Sequence, residues 1–176
     1  MSNCPASFQG YPKPCRDVQG GVKKFWMIPH SDISSFTEAS GVCTAITLAA
    51  NARFILYEQG FQNASATEAP QTNRQNGTTS WEETINMVFH KRNAAVSYDI
   101  RSMAQQDVVI VCQEEQIVSG ARVNFIYGLN NGLGLAPSES MTGVNQIDMN
   151  GYNLVFTGAE PYGALTISQA LIDSND

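Results

Sequence analysis

Charge is scarce in this chain: Asp, Glu, Lys and Arg make up 15% of its 176 residues, against roughly 25% in an average soluble domain. Cations are the scarcer sign, 10 Lys and Arg against 16 Asp and Glu, for a net charge of −6, and no basic run exceeds two residues. A surface that binds nucleic acid by neutralising phosphates is thereby disfavoured. Only two histidines, His30 and His90, accompany four widely spaced cysteines with no Cys-x-x-Cys pair, a poor set for a structural zinc. No apolar run approaches the ~18 residues of a membrane span, so no membrane anchor is expected. The start, with Cys4 and Pro5, lacks the basic and apolar regions of a signal peptide. Secretion is therefore not expected and the cysteines are read as reduced. Cys43 and Cys112 sit in apolar runs and are expected in the core; whether Cys4 and Cys15 pair stays open.

What is present is a single core's worth of apolar residues, 43% of the chain, with abundant Gly, Asn, Gln, Ser and Thr. Residues 1–20 hold three prolines without periodicity and read as an irregular arm. Val22 to Ile28 is a first strand ending at Pro29. Ser31 to Ser40 reads as loop, and Gly41 to Ala49 as a strand with Val42, Thr44, Ile46 and Leu48 on one face. Phe54 to Tyr57 continues as strand. Gln59 to Ser80 is then Gln, Asn, Ala, Ser, Thr and Gly around Pro70, too polar to bury a layer of its own. It is either a flexible loop or, the reading preferred here, a long hairpin polar on both sides that becomes ordered on pairing with copies from neighbouring subunits.

Trp81, Ile85, Met87 and Phe89 alternate with Glu82, Thr84, Asn86 and His90, and Glu83 interrupts the apolar face, so this is a half-buried strand. Within Lys91 to Gln106 the period changes: Val96, Ile100 and Met103 fall at i, i+4 and i+7 behind a candidate N-cap, Asn93, which predicts one amphipathic helix. Asp107 to Cys112 is a buried strand. Val123 to Tyr127 and Leu133 to Ala136 are expected to form a hairpin across Asn130-Asn131-Gly132. Pro137 to Asp148 reads as an exposed connection, and Tyr152, Leu154 and Phe156 share a face of the last strong strand. After Pro161 the tail, 162–176, is mildly apolar and could add a short helix or strand against a neighbour. The expected class is mainly β (α+β): an antiparallel sandwich or barrel over 21–161 with one flanking helix and long hairpins.

No catalytic, cofactor-binding or metal-ligating residue stands out. Glu82 and Glu83 are adjacent on a strand and point to opposite faces, so they cannot flank a glycosidic bond. Glu114-Glu115 reads as a solvated turn. His30 lies in a loop and His90 at a strand end, neither with a visible partner for acid–base work. Gly128 to Gly134 lacks the Lys-Ser/Thr ending of a phosphate loop, and turn chemistry accounts for its glycines. Asn63-Ala-Ser65 and Asn76-Gly-Thr78 match the glycosylation pattern and, with secretion not expected, are read as chance matches. An alternative class is a carbohydrate- or protein-binding β-sandwich presenting Trp81, Tyr152 or Tyr162, although Trp81 and Tyr152 occupy apolar strand faces.

Asn73-Arg-Gln-Asn-Gly-Thr-Thr79, the alternating strand and helix that follow it, and the closing Asn150-Gly-Tyr-Asn-Leu-Val-Phe-Thr-Gly-Ala-Glu-Pro161 together resemble the tail-tube-like structural proteins of tailed bacteriophages, in a branch from phages of Bacteroidetes-type hosts. Gly21 to Trp26 and Gly132 to Leu135 resemble two further strands of that pattern, which spans about Gly20 to Pro161. The arm with Cys4 and Cys15 and the C-terminal tail are not part of it. The resemblance implies a non-enzymatic virion protein without cofactor. Two antiparallel sheets and a flanking helix would carry hairpins that join those of neighbours in a homo-oligomeric ring, usually a hexamer. Stacked rings would form the conduit for DNA ejection, with other tail or neck proteins as partners and DNA as passing cargo. Such a protein is made in the host bacterial cytoplasm and resides in the virion tail. Tube, hub and adaptor ring remain alternatives.

Overall fold

The computed structural model describes residues 10–11, 18–60 and 62–175; Cys4, Cys15 and most of the expected arm lie outside them. The chain runs β1 (Val22–Pro29), a 3-10 turn (His30–Asp32), β2 (Ile33–Ala39), β3 (Val42–Leu48), β4 (Ile55–Glu58), β5 (Ser65–Asn73) and β6 (Thr78–His90). After helix α1 (Ala94–Met103) come β7 (Val108–Val118), β8 (Ala121–Tyr127), β9 (Gly134–Leu135), β10 (Glu139–Met141), β11 (Gly151–Glu160), β12 (Leu165–Ile167) and α2 (Gln169–Asp173). The class is β-rich α+β, as the alternation predicts. One sheet has seven strands in the order β2-β3-β12-β8-β7-β1-β4. The second has the order β10-β11-β6-β5, with β9 also on β11.

Two apolar clusters follow from strand alternation. Phe25 and Met27 of β1 and Val108, Ile110 and Cys112 of β7 turn toward the second sheet, where they meet Ile85 and Met87 of β6 and Tyr152, Leu154 and Phe156 of β11. Their neighbours Trp26, Ile28, Val109 and Val111 turn the other way, into a cluster with Cys43, Ile46, Phe54, Leu165, Ile167 and Ile172 of α2. The middle of the seven-stranded sheet is thus covered on both faces, which is why Val108 to Cys112 reads as continuous valine and isoleucine. Each such side chain contributes on the order of 1.5–3 kcal/mol when withdrawn from water. Both thiols, Cys43 and Cys112, are free and buried, and burial raises their pKa.

Helix α1 starts where the sequence predicts. The Asn93 side chain accepts a 2.8 Å hydrogen bond from the Val96 N–H, satisfying one of the first-turn donors. Met103 lies beside Met27 and Val108, and Ile100 beside Tyr152 and Leu154, so the helix lies across one end of the space between the sheets.

Several local expectations are corrected. Ser31 to Ser40 is not loop: Ile33–Ala39 forms β2, hairpinned onto β3 through Ser40-Gly41, both at positive φ. Register shifts in that pair place Cys43 and Ile46 inward, leaving Val42 41% exposed rather than sharing their face. Glu114-Glu115 is not a turn. β7 continues to Val118, and the turn is Ser119-Gly120, again with positive φ at both residues, leading into β8. There is no hairpin across Asn130-Asn131-Gly132, because β8 pairs with β7 and β12 in one sheet while β9 pairs with β11 in the other. The segment 128–133 instead crosses between the sheets. After Pro161 the chain turns back onto its own body: β12 lies between β3 and β8, and Ile172 of α2 is fully buried.

Candidate functional site

The polar stretch Gln59 to Ser80 does contain a long hairpin. β5 pairs with β6 from Ser65↔Asn86 to Asn73↔Thr78, whereas β11 accompanies β6 only as far as Trp81↔Glu160. Gln71 to Ser80 therefore extends beyond the sheet as a two-stranded ribbon. In its turn the Asn73 side-chain oxygen accepts from the Gln75 and Asn76 amides at 3.0 and 3.2 Å. The hairpin closes within the chain; it does not need a neighbour to form its ladder.

Register assigns the two faces of this sheet. Inward lie Ala66, Ile85, Met87, Leu154 and Phe156. Outward lie Ser65, Thr67, Ala69 and Gln71 of β5, with Ser80, Glu82, Thr84, Asn86 and Val88 of β6. β11 adds Asn153, Val155, Thr157 and Ala159 to that face. None of the outward residues belongs to either apolar cluster. They are small and mostly uncharged, and β5, β6, β9, β10 and β11 together contain no Lys or Arg. β5 is one edge of this sheet, exposed along nearly its whole length, with Pro70 in its middle withdrawing one backbone donor, a residue that sheets tolerate at edges.

Behind the root of the hairpin lie the carboxylates. Glu83, 2% exposed, accepts a 2.8 Å hydrogen bond from the Gly128 N–H. Glu160, 3% exposed, accepts from the Asn130 and Asn131 amides at 3.1 and 2.9 Å and from Asn130 Nδ2 at 2.8 Å. Glu68, directly across the ladder from Glu83, accepts from the Ala164 N–H at 2.8 Å. Three adjacent strands thus hold the 128–131 crossover and the start of the C-terminal segment by hydrogen bonds from backbone amides to their glutamate carboxyl groups. Burial pushes the Glu83 carboxyl up to about 8; the Gly128 amide opposes that shift, and the charges of Glu160 and Glu68 add to it. Space among Glu83, Gly128, Glu160 and Tyr162 amounts to about 10 Å³, at or below the volume one water needs. The arrangement fastens backbone; it has no room for a substrate. Sequence reading singled out Glu83 as a break in an apolar face but missed Glu160 and Glu68.

Other expected positions are dispersed. Glu82 is exposed, on the opposite face from Glu83. Glu115 is paired with Arg122 at 2.8 Å. His90 Nε2 lies 2.6 Å from Asn63 Nδ2, while His30 binds Asp107 through its backbone amide. Tyr152 is buried, its hydroxyl 2.6 Å from Ser97 Oγ, and Trp81 is half-buried with its ring against Gly163. Tyr162 is half-buried and donates to Asn130 Oδ1. These rings form no open platform for a sugar. A groove of about 200 Å³ lies between α1 and the β1–β4 edge, lined mainly by Met27, Ile55, Tyr57 and Met103. Among the described residues no group of three His, Cys, Asp or Glu could hold a metal ion, and no helix is long and apolar enough to cross a membrane. Comparison with protein-family models, curated proteins and solved structures finds no match to this chain.

Proposed function

We propose that this chain is a non-enzymatic virion subunit that closes with copies of itself into rings, six-fold as in the tail-tube-like proteins it resembles. Stacked rings form a tail tube or tail-hub conduit for DNA. The observation that carries this reading is the five-stranded sheet. It keeps one face outside both cores, contains no Lys or Arg, and sends a ribbon three residue pairs past β11. A bare face without cations suits the wall of a channel, because DNA beside it finds no counter-charge to exchange for its condensed ions. The ribbon suits subunit contact, since its outer backbone groups past Pro70 are unpaired at the sheet edge and closure around a ring satisfies them. Low overall charge agrees with a surface covered by siblings. The phage assignment itself rests on the sequence resemblance.

Electron microscopy and sedimentation of concentrated protein test this. Wild type is expected to give annular or tubular particles. A variant in which Gln71 to Ser80 is shortened to a two-residue Asn-Gly turn, the hairpin loop that matches strand twist, is expected to stay monomeric with unchanged circular dichroism. A wild-type protein that remains monomeric at high concentration with its hairpin ordered overturns the reading.

A further inference from the structure

The sequence contains three Asn-Gly pairs, Asn76-Gly77, Asn131-Gly132 and Asn150-Gly151, and the fold treats them differently. Asn-Gly is the pair in which a backbone amide most readily attacks the preceding side chain, because glycine puts no Cβ in the path. At Asn131 the carboxamide donates to the Ala159 carbonyl at 2.6 Å and the backbone N–H to Glu160. The would-be nucleophile, the Gly132 N–H, is engaged by the Gly128 carbonyl at 3.1 Å, and Gly132 is packed against His30 and Asp107. At Asn150 the following glycine is buried inside β11, between β10 and β6, where even a Cβ would strike the Phe89 carbonyl. At Asn76-Gly77 the Asn76 backbone N–H is held by Asn73 Oδ1 at 3.2 Å, but the two reacting groups are not held. The pair sits at the exposed end of the ribbon, Gly77 has φ +66 with open space where a Cβ would be, and among the described residues neither the Asn76 carboxamide nor the Gly77 N–H is hydrogen-bonded.

We infer that Asn76 is a spontaneous modification site, converting to aspartate and isoaspartate while the protein stays folded. The Gly77 nitrogen attacks Asn76 Cγ, forming the N–Cγ bond of a succinimide, and the side-chain nitrogen leaves as ammonia. Water then adds to either ring carbonyl and opens the ring, so the net exchange is ammonia lost for water gained, with no redox partner. Opening at one carbonyl leaves aspartate. Opening at the other routes the main chain through Cγ, adding a methylene to the turn and freeing a carboxylate at the tip. Either product adds negative charge to a ribbon whose one cation is Arg74, and isoaspartate also disturbs the Asn73↔Thr78 closure. The site does not depend on the ring reading.

The test is to hold the full chain in warm, mildly alkaline buffer and follow the three asparagines by peptide mass spectrometry, with isoaspartyl methyltransferase labelling to identify isoaspartate. Asn76 is expected to gain the mass of an amide-to-acid exchange and to accept label. Asn131 and Asn150 should react roughly tenfold or more slowly, the factor that a local opening cost of about 1.4 kcal/mol imposes. In denaturant the three should converge, and Gly77→Ala should suppress both readouts at Asn76 alone. Native-state conversion of Asn131 or Asn150 as fast as Asn76 overturns the inference. So does an Asn76 that stays intact when folded but reacts in denaturant.

Discussion

Replacing the buried carboxyl of Glu83 by an amide, Glu83→Gln, should remove a pH dependence that the native protein carries. In the fold this carboxyl holds its proton up to about pH 8, against 4.5 for a free side chain. Between those values the folded state binds more proton than the unfolded one, so stability falls as pH rises from about 4.5 to about 8 and levels off above. Each pH unit across that gap is worth about 1.4 kcal/mol, so the loss attributable to Glu83 is on the order of 4–5 kcal/mol. Glutamine resembles the protonated acid: its carbonyl can still accept from the Gly128 N–H, and it has no charge to set against Glu160 and Glu68. The two proteins should therefore have similar stability near pH 5. Near pH 8.5 the variant should be the more stable by a few kcal/mol. Urea unfolding across that range, read by Trp26 and Trp81 fluorescence at low protein concentration under reducing conditions, gives the difference directly. Other titrating groups are common to both proteins and cancel. Parallel stability curves, or a variant that loses stability as pH rises, would refute the assignment of Glu83 as a carboxyl kept neutral by burial.

Two backbone predictions follow from the elements on either side. Gly128→Ala puts a Cβ 2.8 Å from Leu133 Cγ and 3.0 Å from the Val108 carbonyl, at φ +75, and should cost about 2–3 kcal/mol; an unchanged urea midpoint would mean the crossover relaxes freely. Asn93→Ala removes the cap of α1 and should cost about 1 kcal/mol, with faster hydrogen exchange at the Val96 amide as the local readout.

Much of this fold is legible because local chemistry and global position agree. Asn93 followed by Val96, Ile100 and Met103 marks the helix start and its buried face, and Gln59 to Ser80 has the composition of a hairpin facing water. The failures have equally specific causes. In β2, Ile33 and Phe36 are three apart, and the register shift between Ile33 and Ser35 breaks the two-residue period by which a strand is recognised. In β7 the apolar run ends at Cys112 and polar Gln113 to Gln116 resembles a turn, whereas the positive-φ pair Ser119-Gly120 carries the reversal. Asn130-Asn131-Gly132 does turn the chain, with Gly132 at φ +79. A turn signal, however, does not say which sheet the next strand joins. The clasp that Glu83, Glu160 and Glu68 form on backbone amides shows in the sequence only as one acid on an apolar face, since the amide that Glu83 holds is 45 residues away and no local pattern announces it.

The position of that clasp bears on how a sheet with an open outer face stays attached to its body. At the α1 end the inner face is held by apolar packing of Met87, Tyr152 and Leu154. Toward the hairpin the inward positions become Glu68, Glu83, Gly158 and Glu160 with the half-buried Trp81, and hydrophobic burial fades where the ribbon begins. Hydrogen bonds from backbone amides to the glutamate carboxyl groups take over there. They are directional, so they fix the root of the ribbon relative to the 128–131 crossover, which non-directional apolar contact does less well. A protruding hairpin fastened in this way keeps its orientation at the root while its tip has little beyond its own ladder to hold it. That combination favours docking against a fixed neighbour, because less orientational freedom remains to be lost on association.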